Sequence, residues 1–174
     1  MAKTIQSPKI NAVYRDKLGC EELRSKDMKK FSSVDEVLNV AIASESKAHE
    51  LYIEMAAMVE NPWMRTTLEG FAQEELRHRA KLEAVKAGWI ALEREKVGDL
   101  GIAEALEDAK PHAKMDYREL LVFAIKKEDS SHRLYAAMAS ILSEPDLKDI
   151  FNKLAEEEAA HKRRFEIEYD SITS

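Results

Sequence analysis

Four glutamates and two histidines stand at matched positions in the two halves of this chain. Glu45 recurs as Glu128, Glu75 as Glu158 and His78 as His161, at an offset of 83 residues. The same offset, without a gap, relates His49 to His132, Tyr52 to Tyr135, Met55 to Met138, Pro62 to Pro145 and Glu74 to Glu157. Each half therefore carries a lone glutamate and, about thirty residues later, a Glu-x-x-His. Carboxylate plus imidazole is a ligand set suited to iron or manganese, and the lack of thiolates argues against a structural zinc site. Bridging carboxylates can hold two divalent ions a few ångströms apart, with room between them for O₂ or peroxide.

Those residues act together only if helices bring them to one place. Of 174 residues, 45% are hydrophobic and 34% charged, with five Gly and four Pro. That composition is all-α in character. Residues 1–32 are polar and lack sustained periodicity, so they read as an N-terminal extension, with a short helix near Cys20–Met28. Residues 33–174 read as one domain. A first helix is expected from about Val34 to Val59, behind a Ser33–Glu36 capping pattern. Leu38, Ala41, Glu45, Ala48, Tyr52, Met55 and Val59 share one face of it. A second helix starts at Asn61-Pro62, turns Met64, Leu68, Phe71, Glu75, His78, Leu82 and Val85 inward, and stops near Gly88. Residues 89–115 lose the stripe and read as a connection holding a short helix near Ile102–Ala109. A third helix follows an Asp116–Glu119 cap, with Leu121, Ala124, Glu128, Ser131, Tyr135 and Met138 on its inner face. A fourth begins near Pro145 and presents Leu147, Phe151, Leu154, Glu158, His161 and Phe165.

The tight links at Glu60–Asn61 and Ser143–Glu144 make each helix pair an antiparallel hairpin. The middle connection of about 27 residues can traverse a whole bundle at ~3.3 Å per residue. The expected fold is thus a ferritin-like four-helix bundle, two antiparallel hairpins joined by a long crossover. Within each hairpin the lone glutamate and the Glu-x-x-His lie about equally far from the turn, and each histidine shares a face with its glutamate. Four carboxylates and two imidazoles meet at mid-bundle. Unpaired, each buried carboxylate would cost several kcal/mol or take up a proton. Two divalent cations set four positive charges against four negative ones. The expected metal ligands are Glu45, Glu75, His78, Glu128, Glu158 and His161, holding two ions per protomer.

The segments Glu45-Ser-Lys-Ala-His-Glu-Leu-Tyr52 and Glu128-Asp-Ser-Ser-His-Arg-Leu-Tyr135, with Glu74-Glu75-Leu-Arg-His78 and Glu157-Glu158-Ala-Ala-His161, resemble rubrerythrin over about residues 34–170. The resemblance implies a di-iron domain that reduces hydrogen peroxide or O₂. It implies Glu75 and Glu158 as bridging carboxylates, Glu45 and Glu128 as terminal ligands, and His78 and His161 as one nitrogen ligand per iron. Tyr52 and Tyr135 would donate hydrogen bonds to ligand carboxylates, orienting them. Rubrerythrin commonly ends in a rubredoxin domain with two Cys-x-x-Cys pairs, whereas Cys20 is the one cysteine here. The resemblance therefore implies a separate electron donor such as a rubredoxin. Rubrerythrin also tends to carry a further carboxylate one turn after the third-helix ligand. Here that position is Ser131, which implies a more symmetric, six-ligand site.

His49 and His132 lie one turn past Glu45 and Glu128 but about 40° off the stripe, which suits contacts between helices rather than ligation. Glu74 and Glu157 point about 100° from the ligands, towards solvent or the ligands' outer neighbours. The net charge of −6 argues against a nucleic-acid partner. No apolar run is long enough to span a bilayer and the N-terminus lacks a signal-peptide core, so no membrane association and a cytoplasmic location are expected. The expected function is that of a di-iron peroxidase or oxidase, acting as a homo-oligomer, with a dimer the simplest case. The alternative is a ferroxidase or iron-handling protein of ferritin type. Cage ferritins usually add a short fifth helix beyond the fourth, whereas this chain ends within a few residues of its fourth, which makes storage the weaker expectation and leaves ferroxidase chemistry open. A third alternative is a bundle that retains the ligands without catalysis, against which the intact duplicate set speaks.

Overall fold

The fold comes from a computed structural model that describes residues 31, 33–89, 111 and 115–173. Four long helices fill these segments: α1 Val34–Met58, α2 Pro62–Trp89, α3 Tyr117–Ile141 and α4 Pro145–Thr173. No strand occurs among the described residues.

The helix starts are fixed by local polar chemistry. Ser33 Oγ accepts the Glu36 N–H at 3.2 Å. Asn61 Oδ1 accepts the Trp63 N–H at 2.9 Å, and Pro62 takes the first turn, where its missing N–H leaves nothing unpaired. Asp116 Oδ1 accepts the Glu119 N–H at 2.9 Å while Glu119 Oε2 accepts the Asp116 N–H at 3.0 Å, a complete capping box. The helix ends differ slightly from the sequence expectation. α1 stops at Met58, because Val59 has already turned to extended backbone. α2 runs through Gly88 to Trp89. Gly88 does not adopt the left-handed conformation by which a glycine usually ends a helix. The short helices expected near Cys20–Met28 and Ile102–Ala109 lie outside the described residues.

Two apolar clusters sit one above the other. The first joins the start of α1 (Val37, Leu38, Ala41), Leu82 of α2, the end of α3 (Leu134, Tyr135, Met138) and the start of α4 (Leu147, Phe151, Leu154). Phe31, assigned from sequence to the extension, is buried in this cluster. The second joins Leu51, Tyr52 and Met55 of α1, Leu68 and Phe71 of α2, Leu120, Leu121 and Ala124 of α3, and Phe165 of α4. α1 and α4 therefore run from the first cluster to the second, and α2 and α3 run back. α2 ends at the opposite end of the bundle from the start of α3. The chain must cross a helix of 25 residues, about 38 Å at 1.5 Å per residue, to join them. Two antiparallel hairpins joined by a long crossover follow from those directions. No helix among the described residues is long and apolar enough to cross a membrane.

Between the clusters lies a polar layer. All the buried polar or charged side chains among the described residues belong to it: Glu45, Glu75, His78, Glu128, Ser131, Glu158 and His161.

Candidate metal centre

Each of the six expected ligands projects from an apolar stripe into that layer. The four glutamates are buried to 2% exposure or less, and His78 and His161 to 7% and 4%. Their oxygens and nitrogens form two overlapping groups, Glu45–Glu75–His78–Glu158 and Glu75–Glu128–Glu158–His161, each with its donor atoms within 4.8 Å of one another. Glu75 and Glu158 belong to both groups. The helix-hairpin duplication thus reappears as an approximate two-fold arrangement around the shared pair.

Polar satisfaction stops at the centre of this layer. Glu75 Oε1, His78 Nδ1, Glu128 Oε2, Glu158 Oε1 and His161 Nδ1 are buried with no hydrogen-bond partner. The imidazoles approach the carboxylates, His78 Nδ1 lying 3.1 Å from Glu158 Oε1 and His161 Nδ1 3.6 Å from Glu75 Oε1, without hydrogen-bond geometry. Orphaned buried polar atoms are rare and each is costly. Five on one focus, all of ligand type, fit a pair of cations.

The electrostatics show what such a layer does when only protons can balance it. Burial, reinforced by Glu75, drives Glu45 well above the usual carboxylate range. Burial, reinforced by Glu158, does the same to Glu128. Burial also acts on Glu75, but contacts with His161 and His78 outweigh it and leave that carboxyl low. Glu158 is held low against burial by Glu128, His161 and His78. Burial would lower the histidines, yet Glu158 and Glu75 raise His78 to about 9, and Glu128, Glu158 and Glu75 raise His161 further. Two carboxylic acids, two carboxylates and two imidazolium ions make a neutral layer. Four carboxylates, two neutral imidazoles and two divalent ions make a neutral layer as well.

The outer contacts of these six side chains cross between hairpins. Tyr52 on α1 donates its hydroxyl to Glu128 Oε1 on α3, and Tyr135 on α3 donates to Glu45 Oε1 on α1. Burial, with Glu45 beside it, keeps the Tyr135 hydroxyl well above its usual range, so it remains a donor. On the other face, His161 Nε2 lies 2.6 Å from Glu74 Oε2 and His78 Nε2 lies 2.9 Å from Glu157 Oε2. Sequence reasoning placed Glu74 and Glu157 off the stripe but not on the histidines. The repeated Glu-Glu-x-x-His was a signal, but the pairing runs between α2 and α4 and could not be read along one helix. His49 and His132 do not enter the cluster. Each directs Nδ1 to a backbone carbonyl across its own hairpin, His49 to Ala72 at 2.9 Å and His132 to Ala155 at 2.8 Å. A carbonyl only accepts, so Nδ1–H donates. Ser131 is buried in the layer, and Lys127 Nζ donates to its Oγ at 2.7 Å.

An open cleft of about 310 Å³ reaches the histidines from outside, lined by Glu74, Arg77, His78, Lys81, Glu157 and His161. It is the face of the layer on which the two imidazoles, stacked with ring centroids 5.7 Å apart, come nearest to solvent.

Known proteins agree with this architecture. No curated protein matches the sequence. A protein from Thermotoga maritima described as ferritin-like and diiron-carboxylate superposes with a TM-score of 0.68 at 19% identity, over 84% of this chain and 99% of that one. A hypothetical protein from Pyrococcus furiosus superposes with a TM-score of 0.62 at 23% identity, over 78% of this chain and 87% of that one. At those identities the likeness is one of fold. The rubrerythrin family model matches residues 36–97 and 119–173, which carry all six clustered side chains. With more than half of its length matched and a buried glutamate–histidine layer at the centre of a ferritin-like bundle, the chain belongs to the rubrerythrin family.

Proposed function

We propose that this protein is a non-haem di-iron oxidoreductase that reduces hydrogen peroxide or O₂ with electrons from a separate donor. The observation that carries the proposal is the convergence of five orphaned donor atoms within two ligand groups that share Glu75 and Glu158. Glu45 and His78 would hold one ion, Glu128 and His161 the other, and Glu75 and Glu158 would bridge them. Two iron ions there would supply the two electrons that convert one peroxide and two protons to two waters; manganese suits the same donors.

The chain's own groups prepare that site. The Tyr52 and Tyr135 hydroxyls occupy one oxygen each of Glu128 and Glu45, which turns the other oxygen inward. The apolar clusters above and below exclude water from the carboxylates. The α2–α4 cleft leaves one side open for a small oxidant. These 174 residues contain one cysteine and hence no Cys-x-x-Cys pair to return electrons. For these 174 residues acting alone, the electrons of sustained turnover would come from a carrier such as a rubredoxin.

Anaerobic loading with ferrous ion, followed by stopped-flow mixing with peroxide or O₂, tests the proposal. Rapid oxidation by peroxide, slower oxidation by O₂, and turnover only with added carrier are expected. Oxidation by O₂ at least as fast as by peroxide would point to a ferroxidase instead. A diferrous protein inert to both would leave a bundle without catalysis.

A further inference from the structure

The internal repeat is broken around the two histidines, and the break is on the cleft side. Glu74 and Glu157 are repeat equivalents that meet the histidines across the facing helices, but not alike: Glu74 Oε2 forms a 2.6 Å hydrogen bond with His161 Nε2, whereas Glu157 Oε2 meets His78 Nε2 as an ion-pair contact at 2.9 Å. A carboxylate only accepts, so Nε2, which faces it, keeps its proton, and Nδ1 is the nitrogen that turns a lone pair to the cluster once metal ions displace the second proton. The clamps on the two carboxylates differ. Glu74 has 26% side-chain exposure and is reached by Arg164 Nη1 at 3.4 Å and Arg77 Nη2 at 3.8 Å. Glu157 has 45% side-chain exposure and is reached by Lys81 Nζ at 3.9 Å. Lys81 is the repeat equivalent of Arg164, and Ala160 that of Arg77. The packing differs in the same sense. Phe71 meets His161 edge-on, with ring centroids 5.1 Å apart, and the Arg164 guanidinium caps the Phe71 ring at 4.3 Å. The repeat equivalent of Phe71 is Leu154.

We infer that Glu74 and Glu157 are positioning residues that fix Nδ1 of His161 and His78 towards the metals, and that their unequal clamping makes the two ion positions unequal. The Glu128–His161 position, backed by Glu74, Arg164 and Phe71, fills first and holds tighter. The Glu45–His78 position, backed by the more exposed Glu157 and a single lysine, fills second and exchanges faster through the cleft. The inference rests on the two-ion reading of the site. Carboxylates behind a ligating histidine commonly change metal affinity by roughly 10- to 100-fold when removed.

Zn²⁺ is a suitable probe because it is diamagnetic and does not turn over. Calorimetric titration of the metal-free protein should resolve two Zn²⁺ steps. Glu157→Gln should weaken the second step by roughly 10- to 100-fold, leaving the first within about three-fold. Glu74→Gln should weaken the first step by as much. Both side chains are partly exposed and Gln matches their volume, so the bundle should remain folded, as circular dichroism would verify. In the Zn²⁺-loaded protein the proton resonance of His78 Nε2–H should move only in Glu157→Gln, and that of His161 Nε2–H only in Glu74→Gln. A purely structural role would not produce that pairing. Equal steps in the unaltered protein overturn the ranking. Steps unchanged within about three-fold in both variants overturn the positioning role, as do affinity losses with unmoved Nε2–H resonances. An unaltered protein that takes up fewer than two Zn²⁺ overturns the two-ion reading itself.

Discussion

Replacing Tyr135 by Phe deletes one hydroxyl at the centre of the bundle and leaves the ring in place. The side chain is fully buried, its hydroxyl donates to Glu45 Oε1, and Glu45 is 2% exposed. No water can replace the lost donor without opening the packing of Tyr135 against Phe151. Leaving a buried acceptor unpaired costs about 1–3 kcal/mol. At about 2–4 °C per kcal/mol for a chain of this size, the melting temperature should fall by roughly 2–12 °C, with the centre near 6 °C. Tyr117→Phe is the control, because its hydroxyl reaches Glu168 only at 3.4 Å in a part-buried setting; its effect should stay below about 1 kcal/mol. Differential scanning calorimetry on both variants, metal-free and metal-loaded, reads the difference. A Tyr135→Phe protein that melts within about 1 °C of the parent in both states refutes the reasoning. So does a Tyr117→Phe protein that falls as far.

Glu158→Ala and Glu75→Ala should each abolish binding of both ions, whereas Glu45→Ala should spare one; equilibrium dialysis counts them. His78→Ala should lose metal, while His49→Ala should keep both ions and lose only the hydrogen bond to the Ala72 carbonyl, so equal metal loss in the two variants contradicts the assignment. The metal-free protein should lose stability as pH rises. The folded state raises His78 to about 9, from an ordinary value near 6.5. Its stabilising contribution is therefore complete below about pH 6.5 and gone once pH has passed through about 9. The metal-loaded protein should show the opposite slope over that window, because ions must displace those protons. Parallel pH profiles of metal-free and loaded melting temperatures would count against it.

Much of this centre was legible because a helix buries one face. All seven stripe residues expected on α1, from Leu38 to Val59, are buried, and so are all six on α4. A charged residue inside such a stripe must point at the core, and duplication made the coincidence hard to dismiss. The tyrosines were expected to meet ligand carboxylates, but the diagonal choice of partner, Tyr52 with Glu128 and Tyr135 with Glu45, depends on how the hairpins dock. The docking of Glu74 on His161 and Glu157 on His78 was hidden for the same reason. The stop expected near Gly88 came within one residue of Trp89, but without a left-handed turn at Gly88, because glycine permits such a helix end without requiring one.

The central claim is that one folded protomer holds two metal ions. The direct measurement is the metal content of protein reconstituted anaerobically with excess ferrous ion and freed of unbound metal. Two irons per protomer are expected in the unaltered protein, and none after Glu158→Ala. One iron, or none, in an unaltered protein that circular dichroism shows to be helical and folded would contradict the account.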